Sequence, residues 1–210
     1  KDWVTGNNAG FVFSFKYPAG PEWKVNIGDG TNRADINTGG LIADNQWHTL
    51  SVSFDRDGYM KMYEDGVLLD SADISSVGDI TTNAGLFFGT DINQDYDFMG
   101  SIAEVRVWNT LINGQTIQNW HCNHLDNNHP NYNNLIGYWK LNEGTGTIAM
   151  NYLGGFGIPN GTINNSTWYT PDSIWLYDYN NTPRIADVPV TALTHLCVPI
   201  DNNWQLDGVS

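Results

Sequence analysis

The chain has 210 residues, 9 Lys+Arg against 23 Asp+Glu, a formal net charge of −14 and only 15% charged residues. That length buries a substantial core without needing disulfide staples. So acidic a chain repels phosphate backbones and anionic lipid, which excludes nucleic acid as a partner and leaves cations and neutral polar ligands such as sugars.

No apolar run approaches the roughly 18 residues that a bilayer span needs, so no membrane insertion is expected. The start, Lys1-Asp2-Trp3-Val4, is neither an initiator Met nor a signal peptide, and the chain reads as a part of something longer with other domains. Abundant Asn, Asp, Gly, Trp and Tyr with little Lys or Glu predicts an exported protein, whether periplasmic, cell-surface or secreted. Two cysteines, Cys122 and Cys197, allow at most one internal disulfide.

The first 110 residues show period-two alternation broken by turn clusters, the pattern of a sandwich or barrel. Phe11, Phe13, Phe15 and Tyr17 alternate with polar or smaller residues, and Trp23, Val25 and Ile27 do the same. From His48 to Phe54, Leu50, Val52 and Phe54 share a face; Asp55-Arg56-Asp57-Gly58 follows as a hairpin turn in which Gly58 supplies a positive φ. Strands are predicted at Tyr59–Glu64 and Val67–Asp70, joined by a tight Asp65-Gly66 turn, then at Leu86–Thr90 and Phe98–Trp108. In the last of these Ala103, Val105 and Val107 face the core. A short helix is predicted over Thr116–Trp120. Beyond the polar loop 123–134, a second block opens at Leu135 with alternating Ile136, Tyr138 and Lys140. Short strands are expected near Ile163, Trp168 and Ile174–Tyr177, and Asp187 caps a helix with Val188, Ala192 and Leu196 on one face.

Trp47-His48, Phe54-Asp55, Gly58, Tyr63, Asp65 and Gly66 resemble the laminin G-like domains of the concanavalin A-like lectin/glucanase superfamily. Gly100, Ile102, Val105 and Trp108 are similar to the closing strand of laminin G-like and pentraxin domains. The resemblance covers roughly residues 10 to 120 and implies an all-β, antiparallel jelly-roll β-sandwich with a smaller C-terminal strand block and a short helix. It departs at one point: the opening strand of such domains resembles Gly137 to Gly146, which here follows the body of the domain. Either the second block supplies the missing strands, or the opening strands lie upstream and the block is an appended unit. The aggregation hazard of an unpaired edge favours the second account. The expected organisation is a sandwich over 1–122, a polar loop over 123–134, a strand block over 135–178 and a helical tail over 179–210. A further resemblance, from Thr182 to Ile200 with Leu206-Asp207-Gly208, is to the end of alkaline phosphatase-superfamily hydrolases, and implies a metal-dependent hydrolase in the parent chain.

Glycoside hydrolysis needs two carboxylates flanking the scissile bond, and the glucanase strand signature Glu-x-Asp-x-x-Glu is absent around Glu22, Glu64, Glu104 and Glu143. Nucleophile-elbow, Walker and zinc-protease motifs are absent too. Asp91, Asn93, Asp95 and Asp97 recur every two residues, so an extended segment aims four oxygen donors the same way, a set suited to Ca²⁺. Pentraxins resemble this chain in drawing calcium ligands from the same region; the opposing reading is a solvated acidic loop. His121, Cys122, His124 and His129 form a weaker candidate for zinc, and Cys122 paired with Cys197 is the competing reading. Trp3, Trp23, Tyr96 and Trp108 are the aromatics expected to be exposed; Trp23, Tyr96 and Trp108 are the candidate ligand-binding residues, whose rings stack on sugars. The reading is a non-catalytic exported carbohydrate-binding or adhesion module with a glycan or glycoconjugate as partner and Ca²⁺ as candidate cofactor. The alternatives are the accessory C-terminal portion of a phosphodiesterase-like hydrolase and a ligand-free spacer.

Overall fold

The computed structural model describes residues 6–15, 20, 22–94, 96–153 and 158–168. Strands β1 (Gly10–Phe15), β2 (Trp23–Gly28) and β3 (Arg33–Ile36) form one antiparallel sheet in the order β1-β2-β3; β4 (Leu50–Phe54), β5 (Tyr59–Glu64) and β6 (Val67–Asp73) form a second in the order β4-β5-β6. Their inner faces make one core. Trp23, Val25, Ile27 and Ile36 of the first sheet meet Met60 and Met62 of the second, with Ile74 and Val77 closing one end. Leu50, Val52 and Phe54 pack against this core, on the face that their alternation predicts. The protein is therefore an all-β antiparallel sandwich.

Two tight turns set the register of the second sheet. At the β4–β5 turn Asp55 N donates to Tyr59 O at 3.1 Å and Gly58 N to Asp55 O at 3.1 Å, while the Asp55 carboxylate accepts from Asp57 N at 3.3 Å. The expected positive φ at Gly58 is not found; the Asp55 side chain organises this turn instead, as aspartate does at the first position of such turns. At the β5–β6 turn Asp65 (φ 49°) and Gly66 (φ 77°) are both left-handed, the two-residue hairpin geometry that matches strand twist. Gly66 is also crowded: a Cβ there would lie 2.8 Å from Gln118 Cα. A third anchor is Asp29, whose carboxylate accepts from the backbone N–H of Gly78, Asn32 and Thr31 at 2.6, 2.6 and 2.7 Å. Those donors, Gly78 foremost, hold its carboxyl well below the usual carboxylate range.

After β6 the chain departs from the expected strands. Leu86–Thr90 and Phe98–Glu104 are not strands. Gly89 (φ 83°) and Glu104 (φ 56°) interrupt the extended backbone, and the alternating apolar residues are used in ring contacts rather than in a ladder: Phe98 stacks on Phe15 at 4.9 Å and Phe88 meets Trp139 edge-on at 5.3 Å. Conversely, β3 was not expected from the sequence, because four residues carrying Arg33 and Asp35 show little apolar alternation. It forms by pairing with β2, Val25 opposite Ile36.

Strand β7 (Val105–Trp108) leads to helix α1 (Gly114–Trp120), a 3-10 turn (Tyr132–Asn134) and β8 (Leu135–Trp139), which returns antiparallel to β7. Ala103, expected in the core, is exposed, and Val105 and Val107 are half-buried. Arg106 joins these elements. It bonds Glu104 Oε2 at 2.7 Å, Asn123 O at 2.7 Å and Trp120 O at 3.4 Å, while Tyr138 Oη donates to the same Glu104 oxygen at 2.8 Å. Burial, with help from Glu104, pushes the Tyr138 phenol far above its usual range. Strands β9 (Ile148–Ala149) and β10 (Gly161–Thr162) pair as a small ribbon. The segment expected at Ile174–Tyr177, the helix expected after Asp187 and the resemblance from Thr182 onward lie outside the described residues. Cys122 is disulfide-bonded and no described cysteine is free; Cys197 lies outside the described residues.

Gly66→Ala is expected to lower stability by about 1–3 kcal/mol, because it combines left-handed strain with a backbone clash against α1. Urea denaturation of the variant against the parent chain measures this, and an unchanged midpoint would contradict the packing described.

Candidate functional site

Because Met60 and Met62 point into the core, Tyr59, Lys61 and Tyr63 must project from the opposite face of β5. Directly paired residues share a face, so Lys61 stands between Ser53 of β4 and Ser71 of β6, with Tyr59 opposite Asp73. Over this outer face runs the segment Leu111–Gly114 that enters α1. Asn113 fixes its path by capping the helix, its Oδ1 accepting from Thr116 N at 2.9 Å. Gly114 lies against the Tyr63 ring, where a Cβ would be 3.5 Å from the phenol oxygen. The result is a cleft of about 300 Å³ between Ser53, Asp55, Tyr59, Lys61 and Tyr63 below and Leu111–Gly114 above. Tyr59 is 52% exposed whereas Tyr63 is 4% exposed, so one ring is free to meet a ligand and the other is part of the wall. Asp55 and Lys61 bring an acceptor and a donor of opposite charge to the same depression. The cleft can therefore stack a flat apolar face and hydrogen-bond hydroxyl groups around it.

The aromatics chosen from the sequence do not line this cleft. Trp23, expected at an exposed loop end, is 0% exposed: its ring fills the core, and Nε1 donates to Glu64 Oε2 at 2.6 Å. Trp108 is half-buried and stacks on His129 at 5.5 Å. Tyr96 is 61% exposed, and Trp3 lies outside the described residues. The sequence carried one signal of this cleft: the shared face of Leu50, Val52 and Phe54 sends Ser53 outward, whereas Tyr59, Lys61 and Tyr63 were not singled out as candidates.

The 91–97 segment is not extended at its start. Asn93 N donates to Asp91 Oδ1 at 3.0 Å and Gln94 N to Asp91 O at 3.1 Å, with Gln94 at φ 60°, so residues 91–94 make a turn and the period-two aim expected of them is lost. Asp91 is 7% exposed while Asn93 and Asp97 are exposed; Asp95 lies outside the described residues. Among the described residues no group of three or more His, Cys, Asp or Glu is arranged to hold a metal ion. The histidines of the expected zinc cluster are dispersed. His121 Nδ1 bonds Gln118 O at 2.7 Å, the His124 side chain is 97% exposed, and His129 is enclosed by Trp108 and Trp120 with Nδ1 accepting from Asn131 N at 3.0 Å.

The family profile of the concanavalin A-like lectin/glucanases superfamily matches residues 2–118. The chain belongs to this superfamily. A second profile, of a domain of unknown function (DUF4983), matches residues 125–210 of this superfamily member. No curated protein matches the chain. Among solved structures, that of a "putative carbohydrate binding protein" from Bacteroides ovatus ATCC 8483 is similar at 18% identity and a TM-score of 0.53, over 76% of this chain and 48% of that one. The chain thus spans about half the length of the structure it matches, and a likeness at that identity concerns the fold.

Within a superfamily that includes glucanases, the placement of carboxylates decides what chemistry is available. Glu64 accepts from Trp23 and from Gly40 N, Glu104 from Arg106 and Tyr138, and Glu143 from Met150 N at 2.8 Å. Each of these three is engaged at a separate place in the fold and none lines the cleft, where Asp55 supplies a single carboxylate.

Two histidines carry opposite pH signatures. At His48 burial works against the charged ring, but hydrogen bonds and charge from Asp65 and Asp44 outweigh it and raise the pKa. Its contribution to stability is full below the unfolded value near ~6.5 and is lost as pH rises through the folded value. At His129 burial, then the Arg106 charge, lower the pKa. Its contribution is present above the unfolded value and is lost as pH falls. Denaturation curves across pH 5–9 should show the stability gap between parent and His48→Gln narrowing as pH rises, and the gap to His129→Gln widening. Gaps that do not change with pH would contradict both assignments.

Proposed function

We propose that this chain is a non-catalytic carbohydrate-binding module that takes a neutral sugar in the β4–β5 cleft. The observation that carries the reading is the exposed Tyr59 ring standing beside Asp55 and Lys61 in a recess roofed by Leu111–Gly114. A pyranose has an apolar face for such a ring and hydroxyl groups for the flanking charges. The net charge of −14 disfavours anionic ligands. Membership of a superfamily of lectins and glucanases, and a fold shared with the "putative carbohydrate binding protein" of Bacteroides ovatus, support the same class of ligand. Structural engagement of Glu64, Glu104 and Glu143 supports binding without bond cleavage. The disulfide at Cys122 supports an exported protein, because such bonds persist in oxidising compartments. No helix among the described residues is long and apolar enough to cross a membrane.

Isothermal titration with neutral oligosaccharides that score on a glycan array tests the cleft. Tyr59→Ala is expected to weaken binding about tenfold, the equivalent of about 1.4 kcal/mol. Undiminished affinity in that variant would remove the cleft from the reading. Calcium is a separate proposal for the loop of Asp91, Asn93, Asp95 and Asp97, supported by its oxygen-donor content. A melting temperature that rises with calcium chloride and falls back with chelator is the expected result, and no shift would overturn it.

A further inference from the structure

The connection from β3 to β4 carries a tryptophan outward on a braced support. Asp44 Oδ1 accepts from Gln46 N at 2.8 Å, and Asn45 takes a left-handed φ of 66°, which closes a tight turn immediately before Trp47. Immediately after it, the His48 ring bridges two carboxylates, with Nδ1 2.8 Å from Asp65 Oδ2 and Nε2 3.2 Å from Asp44 Oδ1. Asp65 in turn accepts from Thr49 N at 2.7 Å, and Thr49 Oγ1 donates to His121 O at 2.8 Å. The backbone on both sides of Trp47 is thereby tied to the β5–β6 turn and to the end of α1. The Trp47 side chain nevertheless remains exposed, with 53% of the residue in solvent. Among the described residues the other tryptophans are covered to a greater degree: Trp23 is 0% and Trp139 3% exposed, and Trp108, Trp120 and Trp168 are half-buried.

A large aromatic left outside on a flexible loop is a cost without a use, but one held in place by hydrogen bonds on either side is preorganised for a ligand. Its exposed neighbours are Asp44, Asn45 and Gln46, which supply a carboxylate and two amides. An exposed indole face with carboxylate and amide side chains in the same turn suits a ring with one apolar face and a hydroxyl edge. With Asp44 and Asp65 alongside, an anionic ligand is disfavoured.

We propose that Trp47, braced by Asp44 and His48, is a second sugar-stacking subsite, distinct from the β4–β5 cleft and selective for neutral pyranose rings. The inference rests on the carbohydrate-binding reading given above, and two subsites on one chain raise affinity for longer oligosaccharides over single sugars. None of residues 44–48 lines the cleft.

The test probes an array of neutral oligosaccharides with the full chain, Trp47→Ala, Trp47→Phe and Tyr59→Ala. Trp47→Ala is expected to lose roughly tenfold in affinity for the longer glycans bound by the parent chain, with Trp47→Phe retaining most of it. If Trp47→Ala keeps every parent signal at full strength, the subsite is overturned while the cleft stands or falls on Tyr59→Ala. If the parent chain binds nothing on the array, both readings fail. Should Trp47→Ala melt earlier than the parent, N-bromosuccinimide oxidation of the parent chain decides: bound oligosaccharide should protect Trp47, read by peptide mass spectrometry, and equal oxidation with and without it would sink the proposal.

Discussion

The burial of Trp23 between two sheets is the constraint from which much of the molecule follows. Its ring fills the space facing Met60 and Met62, and its one polar atom, which would be costly to leave unpaired, is satisfied by Glu64 at the end of β5. That single bond crosses from one sheet to the other. Gly40 N shares the same carboxylate, so the start of the β3–β4 connection is fastened to the same point. Once β5 is held with its methionines inward, its tyrosines and Lys61 have no choice but to face outward, and the cleft is a consequence of core packing.

The outer face is then shaped by what lies across it. Helix α1 docks on the β5–β6 turn through the contact at Gly66 and through Thr49, and its capped N-terminus carries Leu111–Gly114 over Tyr63. The same turn receives His48. A small set of tight, side-chain-organised turns, at Asp29, Asp44, Asp55 and Asp65, thus connects both sheets, the helix and the exposed Trp47. At Asp29, Asp44, Asp55, Asp73, Asp79, Asp91 and Asp126 the carboxylate accepts from the backbone N–H two residues on, a reach that suits the short aspartate side chain.

The strands of the second sheet were legible because their alternation and turn residues agree with their burial. So was the helix after Trp108, through its short polar run. The strand expected at Leu86–Thr90 and the first part of that expected at Phe98–Trp108 failed for a definite reason: alternation reports which side chains are covered, not whether the backbone pairs, and Phe88 and Phe98 are covered by other rings. Aromatic identity misled the choice of site in the same way. Trp23 and Trp108 have the chemistry of sugar platforms, but their burial depends on neighbours far away in the chain.

By itself, the amino-acid sequence determined the all-β class, the acidic balance that narrows the ligands, the hairpins around Asp55 and Asp65 and the inward face of β4. These depend on local periodicity and composition, which a linear chain displays. Only the tertiary structure decided which tryptophan is inside and which outside, that the Asp91 loop turns rather than extends, that β8 returns to β7, and that Leu111–Gly114 comes to roof Tyr59. Each of those outcomes is set by contact between segments distant in sequence, where packing and hydrogen-bond satisfaction outweigh local preference.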